Sequence, residues 1–307
     1  MTDAFILHHY DRSPYAEKVR LMFGVTHSEW QSLLSPPWPP RPNVDPLAGG
    51  YRRIPVAQCG ADIFCDSAVI AEEVAQRTAC QALSPYGLND ADQSLVSLAE
   101  GEAFFSAIVA VPKLRALTTM LMAFGPFGVS RFMKDRASLL KGGKVSRVTP
   151  ERAKEVLSEL FSAMASRLQH QDWLSGDAPS IVDLSVYHPL WLHANVSRRA
   201  LVAPSVVTAW FARVAEIGQG QRREISQGEA FAAARDAEPV AVPTSIDDLP
   251  VALGTTVNVA PEDYGLVPVS GELAAVTDTR IIVARDTPQF GRLHVHFPRK
   301  NYSITPR

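Results

Sequence analysis

A short apolar run leading straight into Ser-Pro constrains this chain most. Ala4 to Leu7 passes through His8, His9 and Tyr10 into Asp11-Arg12-Ser13-Pro14-Tyr15-Ala16-Glu17-Lys18-Val19-Arg20. The run predicts a strand. Ser-Pro predicts the first turn of a helix, because proline lacks only an N–H that would be unpaired there. Ser13 then stands at a helix N-terminus, where unpaired N–H groups and the helix dipole favour an anion. Two roles fit it: a plain N-cap, or a hydroxyl that donates to a thiolate or a carboxylate.

A second corner lies at Arg52-Arg53-Ile54-Pro55-Val56-Ala57-Gln58, Cys59-Gly60-Ala61-Asp62 and Ile63-Phe64-Cys65-Asp66-Ser67-Ala68-Val69-Ile70. It reads as a strand headed by Pro55, a glycine turn, a second strand and a helix opening at Asp66-Ser67. Ala68, Ile70, Ala71 and Val74 supply that helix with an apolar stripe.

With both corners in this order and spacing, the first eighty or so residues resemble the N-terminal domain of the cytosolic glutathione transferases. The resemblance is to omega-like and bacterial classes, with Ser13 where Cys-Pro-Tyr carries its cysteine and Ala16 where glutaredoxins carry a second one. It implies that Pro55 is cis and that the Ile54 backbone pairs with the cysteinyl part of glutathione. It also implies that Asp66 and Ser67 hold the γ-glutamyl carboxylate and that Tyr15 and Arg53 belong to the same site. Arg52 or Arg53 is the candidate partner for a glutathione carboxylate, or a solvated edge-strand charge. Ser13 in place of cysteine points away from dithiol chemistry and toward stabilising a thiolate.

The implied fold is an α/β thioredoxin-like N-terminal domain at 1–80 plus an all-α helical domain at 90–235, the glutathione S-transferase fold. A small all-β C-terminal module follows at 250–307. Helix one is predicted from Pro14 to Phe23, and Trp30 to Leu34 as a strand. Ser35 to Pro46, rich in proline, is a surface loop or a rim of the glutathione pocket that carries Trp38. Ala79 to Asp90 is a linker, and helical periodicity then runs to about Ala234. Asp90 to Val111 reads as one helix, Lys113 to Phe124 as another, with a break at Gly125-Pro126-Phe127-Gly128 before Ser130 to Leu140.

Met120, Leu121, Met122, Phe124, Phe127, Phe132 and Met133 are either bundle core or the lining of an apolar cleft facing Ser13. Thr149-Pro150 opens the next helix. Ser180 and Asp183 stand at capping-box spacing before an apolar run, as in the helical domain of the same family, where the box is structural. His188 and His193 on that helix are read as packing residues. These features extend the resemblance over Ala4 to Phe231.

Beyond it, Ala237 to Pro250 reads as a linker, and the period shifts toward two at Thr255–Val259, Arg280–Ala284 and Leu293–Phe297. This module is expected to pack on the helical domain or to take part in a subunit interface. From Ser245 to Arg307 six basic residues face seven acidic ones, and the whole chain carries a formal net charge of -2, so no basic face draws nucleic acid. His294 and His296 share one face of a strand and invite a metal, but no third ligand is near in sequence; no metal is assigned. Cys59, Cys65 and Cys80 form neither a disulfide framework nor a zinc pattern. The start Met-Thr-Asp-Ala-Phe-Ile-Leu has no leader pattern, and the longest apolar stretch, Ala103 to Val111, falls short of the ~20 residues of a membrane span. A cytoplasmic protein without membrane partners is the expectation.

The function expected is a glutathione S-transferase-like enzyme with glutathione as co-substrate. Ser13 would stabilise a thiolate that adds to a small hydrophobic electrophile or reduces a peroxide, in a chain that forms a homodimer. The alternative is a non-catalytic glutathione-binding or protein-interaction module that uses the C-terminal β strands.

Overall fold

The structure is a computed structural model that describes residues 4–144, 147–247, 249 and 251–307. Met1-Thr2-Asp3, read for a leader, and Asp248 and Pro250 of the expected linker lie outside these residues.

Strand β1 (Ile6–His9), helix α1 (Pro14–Val25) and strand β2 (Glu29–Leu34) form a parallel β-α-β unit. A four-residue helix, α2 (Asp45–Ala48), interrupts the proline-rich stretch. Then β3 (Val56–Cys59) and β4 (Asp62–Cys65) form a hairpin, and α3 (Ser67–Arg77) follows. Every residue of β1, β3 and β4 is buried, which explains why they read as apolar runs rather than as alternation. Their few polar side chains pair inside: His8 Nε2 lies 3.0 Å from Gln58 Oε1, and His9 Nε2 lies 3.0 Å from Ser32 Oγ.

The helical part holds α4 (Asp90–Glu100), α5 (Glu102–Val109), α6 (Lys113–Leu140), α7 (Pro150–Leu168), α8 (Ile181–Ser197) and α9 (Ser205–Glu216). The single helix expected over Asp90–Val111 is divided at Gly101, whose φ of -92° and ψ of -109° leave the helical region. The expected break at Gly125-Pro126 is present: α6 consists of two helical segments that meet at a kink. Only Gly125 departs from helical geometry, at φ 64° and ψ 174°, a conformation open to glycine alone, and Pro126 restarts the helix in its first turn.

The core reading for the α6 apolar residues is overturned. None of Met120, Leu121, Met122, Phe124, Phe127, Phe132 and Met133 is buried, and Phe127 is 91% exposed. Helix α6 lies on the rim of the bundle, and only Thr119 is buried among its described residues.

The Ser180–Asp183 capping box forms as the sequence predicts. Asp183 Oδ2 accepts from the Ser180 N–H at 3.0 Å, while its Oδ1 accepts from the Leu174 N–H and the Trp210 indole, each at 2.8 Å. One buried carboxylate thus ties the start of α8 to α9.

Helical periodicity does not persist to Ala234. Gln221–Glu224 forms strand β5, parallel to β2, before α10 (Gln227–Arg235). Gln-Arg-Arg-Glu has no apolar residue to betray a strand; β5 is an edge held by backbone pairing to β2 and by polar contacts such as the Ser32 hydroxyl donating to Glu224 at 3.0 Å.

The C-terminal module contains β6 (Thr256–Pro261), β7 (Val269–Val276), β8 (Arg280–Thr287), β9 (Gly291–Pro298) and β10 (Tyr302–Pro306). It does not sit on the helical bundle as its main support. Strand β9 pairs parallel with β4, Asp62 opposite His294 and Phe64 opposite His296, so one ten-stranded sheet runs β10-β6-β7-β8-β9-β4-β3-β1-β2-β5. The β4 edge offered unpaired backbone groups, and β9 covers them. Strand β10 is the far edge of that order, yet its Tyr302 reaches Asp66 beside β4. The added strands therefore curl back over the β4–α3 corner, around a core of Tyr51, Ile63, Val257, Val283, Phe297 and Tyr302.

Candidate active site

Sheet register brings the two proline corners together. His8 stands opposite Val56, and Val56 opposite Cys65. Because β3 runs against both neighbours, the segment after β1, the segment before β3 and the segment after β4 all emerge at one end of the sheet. Those segments carry Ser13, Ile54-Pro55 and Asp66-Ser67.

Ser13 caps α1. Its Oγ accepts the Ala16 N–H at 3.2 Å, and its side chain is buried. The capping reading is therefore fulfilled, and it leaves the second role open: the Ser13 hydroxyl proton has no acceptor among the described residues. An oxygen can accept from Ala16 and donate to a ligand at the same time.

The Ile54–Pro55 bond is cis, as the resemblance implies. Ile54 is half-buried, and its N–H and C=O make no hydrogen bond among the described residues. A free peptide edge at this position can pair with the backbone of an extended ligand.

Asp66 adopts φ 98° and ψ 140°, outside the usual region for a residue with a Cβ, and caps α3 by accepting the Ala68 N–H at Oδ1, 3.0 Å. Strain of this kind persists where the surroundings over-determine it, often at ligand sites. Ser67 is the first residue of α3 and is buried.

The remaining predicted residues are engaged by the C-terminal strands. Asp66 Oδ2 accepts from Arg53 Nη1 at 3.2 Å and from the Tyr302 hydroxyl at 3.0 Å. Arg53 also forms an ion pair with Asp263, donates to the Tyr264 carbonyl at 2.6 Å and lies 4.1 Å from the Tyr264 ring centroid. Arg52 points elsewhere, to Asp135 on α6. Tyr15 packs on His188 and Phe104, with ring centroids 4.7 and 5.1 Å away, and its phenol neighbours that of Tyr264. Burial pushes both phenols above their ordinary range. Burial also lowers His188 to about 4, so it is neutral near pH 7, in keeping with a packing role. Beneath Tyr15, Lys18 pairs with Glu100 and, against the effect of burial, holds that carboxyl below its usual range.

Trp38, expected at the rim, joins the proline-rich loop to α6 through Phe124 and Phe132, at 5.5 and 6.4 Å. His294 and His296 serve the sheet: His296 Nε2 lies 2.8 Å from Asp62 Oδ1, with His294 Nδ1 at 3.9 Å. Among the described residues no three His, Cys, Asp or Glu side chains converge as metal ligands. Cavities of about 430 and 210 Å³ lie by His294 and by Ile6, and neither is lined by Ser13, Ile54 or Asp66.

Sequence reading missed Asp263, Tyr264, Tyr302 and Tyr51 as parts of this corner. Pro261 to Gly265 announces only a turn, and nothing local in it points to Arg53.

A glutathione S-transferase N-terminal domain model matches residues 7–81, and the C-terminal domain model of the same family matches residues 110–217. A GST-like protein from Pseudomonas syringae, known from its crystal structure at 2.4 Å, is 31% identical over 100% of both chains, with a TM-score of 0.79. The chain belongs to the glutathione S-transferase family. Since that match spans both chains entirely, the C-terminal strands have a counterpart in the Pseudomonas protein. A glutathione S-transferase from Methylobacillus flagellatus KT, solved with glutathione bound, is 19% identical over 70% of this chain and 99% of that one, with a TM-score of 0.48. No curated protein matches. Ser13, Ile54 and Asp66 meet at one end of the sheet, within the residues that the N-terminal domain model matches.

Proposed function

We propose that the chain binds glutathione at this sheet end and joins it, through its sulfur, to a small apolar electrophile. The observation that carries the reading is the unpaired Ile54 backbone, flanked by a helix-capping serine with an unspent hydroxyl proton and by Asp66-Ser67 at the mouth of α3. Glutathione's cysteinyl backbone pairs with Ile54, its γ-glutamyl end meets Asp66 and Ser67, and Arg53 takes a carboxylate. Tyr15 supports the floor from beneath.

A free thiol has a pKa near about 8.5, so at neutral pH it needs help to ionise. The N-terminus of α1 and the Ser13 hydroxyl stabilise the thiolate. The thiol proton leaves to solvent, the sulfur lone pair forms the new bond to the electrophilic carbon, and the leaving group departs with its electron pair. Trp38, Phe124 and Phe132, where the proline-rich loop meets α6, offer the apolar surface for that second substrate.

A second reading, a module that binds glutathione or a partner without turnover, is favoured by one observation: Arg53 and Asp66 are already engaged by the C-terminal strands. Calorimetric titration with reduced glutathione, together with an aryl-halide assay of wild type and Ser13→Ala, separates the two. Transferase chemistry predicts saturable binding in both proteins and turnover lowered by about ten- to hundred-fold in the variant. Binding with no turnover in the wild type selects the second reading, and no binding rejects glutathione as the ligand and leaves only the partner-binding form of the second reading.

A further inference from the structure

The loop between β6 and β7 offers the site the same chemistry that glutathione would. Arg53, which would face a carboxylate, receives that of Asp263. Asp66, beside it, is held by Arg53 itself and by Tyr302 of β10. The Tyr264 ring lies against the Arg53 guanidinium, with its phenol next to Tyr15 on α1, so it spans the ground between the cis-proline corner and the first helix. We propose that the Asp263–Tyr264 loop is an internal ligand of the glutathione site, a latch that must leave Arg53 before glutathione can use it. This rests on the glutathione reading of the site.

The latch is fitted from both sides. The Lys144 N–H donates to the Asp263 carbonyl at 2.7 Å, and the Gly265 N–H donates to the Leu139 carbonyl at 2.8 Å, so the end of α6 holds the loop down. Gly265 sits at φ 63°, where a Cβ would stand 3.0 Å from Leu139 Cδ1. A Cβ on Gly143 would fall 2.2 Å from the Asp263 carbonyl oxygen, a distance at which one of the two must move. Two close approaches that depend on glycine, one in the loop and one facing it, mark a built contact rather than a loop resting on a surface.

A site whose competent form is a minor population shows an affinity reduced by that fraction. Loosening the latch therefore raises the apparent affinity for glutathione. Two variants do this by independent routes. Tyr264→Ala removes the ring that stacks on Arg53. Gly143→Ala touches no residue assigned to glutathione and pushes on the loop backbone from outside.

The test is calorimetric titration of wild type and both variants with reduced glutathione, with circular dichroism to confirm folding. Gly143→Ala keeps the test decisive if Tyr264→Ala fails to fold. Amide hydrogen exchange at Lys144 and Gly265 is followed in the wild type with and without glutathione. The latch predicts roughly ten-fold or greater tightening in the folded variants and loss of protection at both amides when glutathione binds. Unchanged affinity in the variants, or glutathione binding with both amides still protected, overturns the latch and leaves the glutathione reading standing. No binding by any of the three proteins overturns the glutathione reading, and the latch with it.

Discussion

The bond chain Tyr51–Tyr302–Asp66 joins the added strands to the candidate site, and its donors have a fixed order. Tyr302 donates its single hydroxyl proton to Asp66 Oδ2 at 3.0 Å. Tyr51, 2.6 Å from the Tyr302 oxygen, must therefore donate to it. Tyr302→Phe removes a hydrogen bond to a charged group and also leaves the buried Tyr51 hydroxyl without an acceptor; the two losses together are worth roughly 4 kcal/mol. Tyr51→Phe removes only a neutral bond, about 1 kcal/mol, because Tyr302 keeps Asp66. In the double variant no orphan hydroxyl remains, so adding Tyr51→Phe to Tyr302→Phe restores about 1 kcal/mol or more. Urea unfolding of the four proteins, compared at constant slope, reads these differences directly. A double variant at least as destabilised as Tyr302→Phe, or a Tyr51→Phe as costly as Tyr302→Phe, refutes the proton order and with it the claim that the tail is anchored through Asp66.

Three further outcomes follow from buried groups. Asp183→Ala orphans the Leu174 N–H, the Ser180 N–H and the Trp210 indole and should cost about 4 kcal/mol in urea unfolding, whereas a loss under about 1 kcal/mol would show that the box does not organise α8 and α9. Burial raises the Asp183 pKa above its ordinary 3.8, so between that value and the raised one the native state binds more protons; this component of stability declines as pH rises through the window and should vanish in Asp183→Asn. Burial lowers His8, His9 and His188 from 6.5 to about 4, 3 and 4, so below pH 6.5 the unfolded chain takes up protons that the native state refuses. Stability should then fall as pH falls from 6.5 toward 4, by up to about 4 kcal/mol per pH unit, and His188→Phe should remove about a third of that slope; an unchanged slope would mean that His188 is not held neutral.

What the sequence made legible was local. Ser13, Thr149 and Ser180 cap helices because a cap needs only its own next three residues, and the Pro55 and Asp66-Ser67 corners follow from turn chemistry within a few positions. The non-local pairings were hidden. Strand β5 carries no apolar pattern since it is stabilised by the backbone of β2, nearly two hundred residues earlier. The attachment of β9 to β4 and the seat of Tyr264 on Arg53 depend on partners more than two hundred residues apart in sequence, which no local period encodes. Helix α6 misled in the opposite way: its Leu, Met and Phe content reads as core, but composition records apolarity and not which face the bundle covers. Gly101 and Gly125 show how little a glycine alone discloses. Both interrupt a helix, Gly101 between α4 and α5 and Gly125 at the kink within α6, and only the one followed by proline was legible as a break.

The central claim is that Ser13 and the α1 N-terminus stabilise the thiolate of bound glutathione. Its most direct test is the pH dependence of thiolate ultraviolet absorbance at saturating glutathione, in wild type and in Ser13→Ala. The account predicts a thiol pKa at least about one unit below the free value near 8.5 in the wild type, with much of that depression lost in the variant. An undepressed pKa in the wild type, or the same depression in both proteins, would contradict it.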